Sequence, residues 1–332
     1  MMKKFNKVII WGFDNNSHTH YYTHWGWNSA FTHLGYETYW FSDNNHPENF
    51  DYENSLFITE GYVDAGIPIN DSSTYIVHVC VNPEKYIGRV KRLIDMRYLV
   101  DHIYDINYRY VLDKDKATKI SDTLYHEALH DNGGVSKNHA NPTPMEYEAI
   151  YTCWATDLLP HEINLDDAHI QRQKEIYWFG SANPGNTKEI RLFAQECEKN
   201  GIRFLTNDPW SNPLPFDFVR QKTKESFMAP DIRTGGDPNK IALGETGTCH
   251  KHIGYIACRL FKSISCGQLG ITNSKHMYEI MDKSVVYNED ESQLFHDALN
   301  NVGDIELIKK QMEIVREKHT FVKRVQDLLK VL

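Results

Sequence analysis

Apolar runs of about seven residues recur along this chain, each followed by a polar turn or an amphipathic stretch, and that rhythm limits what it can fold into. "KVIIWGF" (7–13), "YETYWFS" (36–42), "SLFITEG" (55–61) and "TYIVHVC" (74–80) predict β-strands, and "HYYTHWGWNSAFTHLG" (20–35) predicts a helix stopped by Gly35. "EYEAIYTCWATDLLP" (146–160) holds the last strand of this half, ended by Pro160. In between, residues 85–98 predict a helix and 102–110 a strand. The polar stretch beyond, with "NGG" and "NPTP", predicts loop.

The pattern restarts beyond 160–174. "EIYWFGS" (175–181) is a strand, "TKEIRLFAQECEKNG" (187–201) a helix that Thr187 caps and Gly201 ends, and "IRFLTND" (202–208) the next strand. "NKIALGE" (239–245), "LGITNS" (269–274) and "SVVYNED" (284–290) follow, and a charged amphipathic helix spans about 304–332. Strands alternating with helices predict an α/β fold with parallel sheets. Two such runs predict two Rossmann-like domains, 1–165 and 166–332, facing each other across a cleft. Ligands in such sheets bind beyond the carboxyl ends of the strands. No internal repeat is visible.

Composition narrows the partners. The chain has 332 residues, a formal net charge of -9 and no basic block, which argues against nucleic-acid binding. No segment approaches ~18 apolar residues, so no transmembrane span is expected. The six cysteines form no CxxC pair and several sit in apolar runs, which points to reduced thiols and a cytoplasmic location.

"GYIACRLFKSISCGQLGITNS" (254–274) has the chemistry of an anion site. Gly254 lets backbone approach a ligand, a helix expected to start near Tyr255 offers free N–H groups, and Arg259 adds a permanently charged fork. Leu260, Phe261 and Ile264 have helical spacing and belong to the core. The preceding loop "ALGETGTCHKHIGY" (242–255) brings Glu245, Thr246, His250, Lys251 and His252. No GxGxxG and no Walker loop is present, so no dinucleotide or ATP fingerprint exists and no cofactor is expected.

In the first half, "GFDNNSHTHYYTHWGWN" (12–28) places Asp14, His18, His20 and His24 at the end of the first strand. His20 and His24 fall four apart and would suit a metal, but HExxH is absent and no metal site is expected. A histidine serves as a general base near neutral pH without a large shift, and His20 lies where the chain turns into the helix. In "YHEALHDNGGVSKNH" (125–139), His126 and His130 read as surface helix and loop.

The second half resembles the donor-nucleotide domain of GT-B glycosyltransferases, in the group-1-like and spore-protein-like branch. The resemblance rests on Gly254-Tyr255 with Arg259, Phe261 and Gly267, then "VVYNEDESQLFHDAL" (285–299) and "REKHTFVKRVQDLL" (316–329), and it covers roughly 170–332. It implies a metal-independent hexosyl- or deoxyhexosyltransferase that uses a nucleoside-diphosphate sugar and an acceptor hydroxyl, on a glycan or another molecule. On that resemblance, Arg259, Tyr255, Gly254, Lys251, His252, Glu245, Thr246, Ser181 and Arg233 bind the donor. Ser181 lies in the glycine-bearing turn "FGSANPGNTKE" (179–189) and Arg233 in "KESFMAPDIRT" (224–234), where a base contact is usual. The loop with Asp14, His18, His20 and His24 then faces the acceptor, and the last helix crosses back to the first domain. Cys258 and Arg259 stand where fucosyltransferase-type motifs carry a Glu-Lys pair, so Glu245 is the candidate for the ribose. A nucleotide-sugar epimerase and a non-catalytic nucleotide-sugar-binding protein are the alternatives.

Overall fold

The computed structural model describes residues 5–14, 16, 20–61, 63–78, 86, 89–97, 117–127, 148–180, 187–209, 211–235, 250–251 and 255–332. The first part of the chain builds one eight-stranded sheet. Its strands are β1 (Lys7–Trp11), β2 (Glu37–Phe41), β3 (Ser55–Thr59), β4 (Thr74–His78), β5 (Arg92–Arg97), β6 (Thr118–Ser121), β7 (Leu124–Glu127) and β8 (Glu148–Thr152). Their order is β2-β1-β3-β4-β5-β8-β7-β6. All neighbours pair in parallel except β6–β7 and β7–β8, which are antiparallel.

Alternate residues serve opposite faces of this sheet, as pleating requires. Val8, Ile10, Leu56, Ile58, Ile76 and Ile94 fill one core with α1 (Tyr21–His33), while Ile9, Trp11, Phe57, Tyr75 and Leu93 fill the other. Burial on both faces is why β1, β3 and β4 read as unbroken apolar runs. The expected alternation of strand and helix fails after α1. Among the described residues, the β2–β3 and β3–β4 connections contain no helix. Aromatic rings cover that face instead: Phe57 and Tyr75 stack at 4.7 Å, and Phe41 meets Phe50 at 5.1 Å.

Two expectations for the middle are corrected. Residues 92–97 form strand β5, not the end of a helix, because Leu93, Ile94 and Met96 are buried between β4 and β8. His126 lies on β7, not on a helix; Leu124–Glu127 pairs with β8 on one side and β6 on the other. The expected strands at 102–110 and 239–245, and His130, lie outside the described residues.

The later part forms two smaller parallel sheets. β9 (Glu175–Phe179) pairs with β10 (Arg203–Asn207), and β12 (Gly270–Thr272) lies between β11 (Ala229–Asp231) and β13 (Val286–Tyr287). Around them lie α2 (Thr187–Lys199), α3 (Phe216–Glu225), α4 (Arg259–Ile264), α5 (Lys275–Ile280) and α6 (Glu291–Asn301). α4 starts at Arg259 and not near Tyr255, and residues 255–257 are irregular.

The expected C-terminal helix is two, α7 (Ile305–Lys318) and α8 (Phe321–Leu328). The break falls at His319–Thr320. Thr320 caps α8 by accepting from the backbone N–H of Lys323, and its neighbours exchange backbone hydrogen bonds with Thr156. Buried Arg324 fastens this corner by donating to the carbonyl of Cys153 at 2.9 Å and to Thr123 at 3.0 Å. α8 packs on α1, with Phe321 5.1 Å from the ring of Trp27. Among the described residues no helix is long and apolar enough to cross a membrane. Cys153, Cys197, Cys258 and Cys266 are free thiols.

Gly26 makes this helix pair possible, since a Cβ there would lie 2.3 Å from the Phe321 ring. Alanine is the better helix former by about 1 kcal/mol, but the buried ring has nowhere to go. Gly26→Ala should therefore destabilise the protein by about 1–3 kcal/mol in urea unfolding, and Phe321→Leu in the same chain should recover part of the loss.

Candidate functional site

A cavity of about 430 Å³ lies where the ends of β1, β9, β10 and β11 converge. Asn16, His20 and Tyr22 form one wall, from the loop after β1 and the start of α1. Phe179 and Gly180 after β9, Arg233 after β11, and Tyr255, Arg259 and Lys262 form the facing wall. α3 closes one side through Phe216, Val219 and Thr223, and its first backbone N–H donates to the carbonyl of Asn16 at 2.9 Å.

Arg259 dominates the second wall. Its guanidinium lies 3.7 Å from the centroid of the buried Trp178 ring, and its Nε donates to the carbonyl of Phe179 at 3.1 Å. Among the described residues no carboxylate forms an ion pair with it. Burial, then the neighbouring Arg233, push its pKa down to about 10. A Cβ on Gly180 would sit 1.9 Å from one terminal nitrogen of Arg259, so glycine there leaves the guanidinium its place.

Arg233 is the opposite case. Asp231, fully buried at the end of β11, pairs with it, accepting from its Nε at 3.0 Å. The "TNS" that ends β12 holds this loop: Thr272 donates to Asp231 at 3.1 Å, and Asn273 accepts from the Arg233 backbone at 2.7 Å. Arg233 also lies 5.1 Å from the ring of Tyr255, which packs 4.7 Å from His250. Burial, then Arg233, push the His250 pKa down to about 4.

On the first wall His20 and Glu60 are hydrogen-bonded through Nδ1 of the imidazole. Glu60 is fully buried at the end of β3. Burial alone would raise its pKa, but the bond to His20 and the nearby His24 outweigh that and leave it lowered. Behind this pair, fully buried His24 approaches His78 at 3.2 Å between their Nε2 atoms and the carbonyl of Phe13 at 3.3 Å through Nδ1. Burial, then His24 and His20, hold the His78 pKa well below its ordinary value. A Cβ on Gly12 would meet the His24 ring at 2.5 Å, so this cluster fixes the glycine that starts the loop.

The predicted residues thus separate. His20, Arg233, Tyr255 and Arg259 line one cavity. His24 does not; it lies in the core beneath it. Asp14 is exposed, accepts from Ser42 at 3.1 Å, and does not line the cavity either. Lys251 pairs with Glu291 at 3.3 Å, off the cavity. His18, Ser181, Glu245, Thr246, His252 and Gly254 lie outside the described residues. Among those described, no group of three or more His, Cys, Asp or Glu side chains is placed to hold a metal. Sequence reading missed Glu60, an acid at the end of an apolar strand, and Lys262, one helical turn from Arg259.

No family model matches the chain, and no curated protein matches it. Among solved structures, an alpha-glucosyltransferase (AGT) in complex with UDP aligns over 98% of this chain and 99% of its own, with a TM-score of 0.52 at 9% sequence identity. The likeness establishes a glycosyltransferase-like α/β fold.

The state of His250 can be tested by stability. Folded, it stays neutral down to about pH 4, whereas unfolded it protonates below its ordinary 6.5. Its neutral form therefore contributes fully above that upper value, and the contribution is lost as pH falls toward the lower one. The stability advantage of wild type over His250→Gln should shrink across that window in urea unfolding, and an unchanged advantage would place His250 in a solvated site.

Proposed function

We propose that this protein is a glycosyltransferase that moves a sugar from a nucleoside-diphosphate sugar to an acceptor hydroxyl. In this reading residues 1–165 are the acceptor-side unit and 166–332 the donor-side unit, in the manner of the group-1-like branch. The observation that carries it is the partly buried Arg259 guanidinium. A partly desolvated cation to which no described residue offers a carboxylate is costly, and an anionic ligand in the adjoining cavity would supply the opposing charge. The glycosyltransferase-like fold, and the UDP named with the aligned structure, favour a nucleoside diphosphate as that anion.

The facing wall supplies the acid–base chemistry. Nδ1 of His20 is committed to Glu60, so proton uptake falls to Nε2. The acceptor oxygen attacks the anomeric carbon as its proton passes to that nitrogen. The bond from the anomeric carbon to the diphosphate oxygen breaks, and the nucleoside diphosphate leaves with the electron pair. Glu60 holds the ring in orientation and offsets the imidazolium that forms. Arg259 meets the charge growing on the leaving group, so the step requires no resident metal.

Two variants test the two walls. Arg259→Ala should lower affinity for UDP, or for whichever nucleoside diphosphate gives the largest thermal shift, by at least about tenfold in calorimetry. Undiminished affinity in the folded variant would remove Arg259 from the site. His20→Ala should lower turnover of the nucleotide sugar by about 10²–10⁴-fold and leave nucleoside-diphosphate affinity within a few-fold of wild type. A parallel loss of both would mean that His20 supports the fold or the donor.

A further inference from the structure

The cavity is divided by chemistry. Among the described residues its charged and titratable lining is His20, Arg233, His250, Arg259 and Lys262, with the buried thiol of Cys258 and the hydroxyls of Tyr22 and Tyr255 beside them. The arm between β9, the loop after β10 and α3 holds no charged side chain. Tyr177 and Phe179 alternate along β9, so both rings stand on one face of the strand, while Ile176 and Trp178 turn into the core. The two rings lie nearly parallel, with centroids 6.3 Å apart and planes inclined by 7°. Pro209 and Leu214 come from the loop after β10. α3 packs against β9 and brings Phe216, Val219 and Thr223 from one side of the helix. The polar atoms of this arm are spent on the protein. The Tyr177 hydroxyl donates to Glu175 at 2.7 Å and the Thr223 hydroxyl to the carbonyl of Val219 at 2.8 Å. The amide nitrogen of Asn207 donates to the carbonyl of Asn212 at 3.0 Å.

The arm meets both walls of the cavity. Phe216 lies 6.4 Å from the Tyr22 ring, and its backbone N–H holds the loop of Asn16. At the other end the carbonyl of Phe179 holds Arg259. A sugar laid in this arm would bury hydroxyls against surfaces that return few hydrogen bonds, which is unfavourable. An aryl ring forfeits no hydrogen bond there and gains contact with Tyr177, Phe179 and Phe216. We propose that this arm seats the apolar body of the acceptor, and that the acceptor is an aryl-bearing alcohol or phenol and not a sugar. This rests on the glycosyltransferase reading above. The body then lies on the second half of the chain while its hydroxyl turns to Nε2 of His20, the nitrogen that the bond to Glu60 leaves over. Val219, midway along the cavity side of α3, sets the room in the arm.

The experiment is titration of the full chain with 2-naphthol, with 2-methylnaphthalene, which lacks the hydroxyl, and with methyl glucoside, each with and without UDP. Naphthalene fluorescence follows the first two and competition the third. Wild type should bind 2-naphthol at least about tenfold tighter than methyl glucoside. Val219→Trp, which fills the arm, should lose at least about tenfold toward 2-naphthol and keep UDP affinity within a few-fold of wild type. Val219→Asn, which makes the arm polar, replaces it if that variant fails to fold. His20→Ala should abolish the preference for 2-naphthol over 2-methylnaphthalene, which places the hydroxyl at the base. Tighter binding of methyl glucoside, or 2-naphthol binding unchanged in the folded Val219 variant, would overturn the assignment. UDP weakened by Val219→Trp as much as 2-naphthol would give the arm to the nucleobase and overturn it as well. A preference retained in His20→Ala would turn the hydroxyl away from the base and overturn the acceptor role. Wild type that binds 2-naphthol but no nucleoside diphosphate would overturn the glycosyltransferase reading, and the acceptor role with it, while leaving the arm as an apolar site.

Discussion

A partly buried guanidinium that no described carboxylate answers organises the second wall. Arg259 keeps its charge because three features share the load: the face of Trp178, the carbonyl of Phe179 and the missing side chain of Gly180. The surroundings keep further positive charge down. Arg233 is cancelled by Asp231, and His250 is held neutral by burial and by Arg233. Asp231 is in turn fixed by Thr272, and Asn273 links the Arg233 backbone to Glu291. A short run of polar residues at the end of β12 therefore keeps one arginine occupied and leaves the other to the cavity.

The opposite wall obeys a different logic. There the charge is an acid, Glu60, kept ionised against the pull of burial by imidazoles around it. His20 connects that acid to the cavity, while His24 and His78 pack behind it and close it off from solvent. The two walls come from different sheets, joined at the cavity by α3 against Asn16 and by Lys262 against Tyr22. Asp231 answers Arg233 on one wall and His20 answers Glu60 on the other, and neither pair reaches across the cavity.

Strands buried on both faces were legible because burial leaves nothing but apolar side chains: β1, β3, β4 and β9 stand where the runs predict them. β5 was not, since Arg92, Asp95 and Arg97 interrupt its apolar residues and mimic a helical spacing. The β6–β7 hairpin was hidden in polar sequence because its edge faces solvent, with exposed Thr118 and Lys119 at the margin. At the site, His20 and Arg259 were visible as charged or titratable residues at the junctions of strand and helix. What could not be seen was pairing: that Glu60 lies 40 residues from its histidine in sequence, that His24 turns inward, and that Lys262 shares a face with Arg259 across the cavity from Tyr22. Those depend on tertiary contacts that no local pattern encodes.

The position of α8 bears on how the chain folds. The core on the α1 side of the large sheet, built from Val8, Ile10, Leu56, Ile58 and Ile76, is completed by Phe321, Val325, Leu328 and Leu332. Those residues lie far from β1 in sequence. α1 covers part of that apolar face from nearby in sequence, but each contact made by α8 closes a very long loop, a slow kind of contact to form. Until α8 docks, that side of the sheet is a partly exposed core, the state in which a folding chain most needs protection from its neighbours.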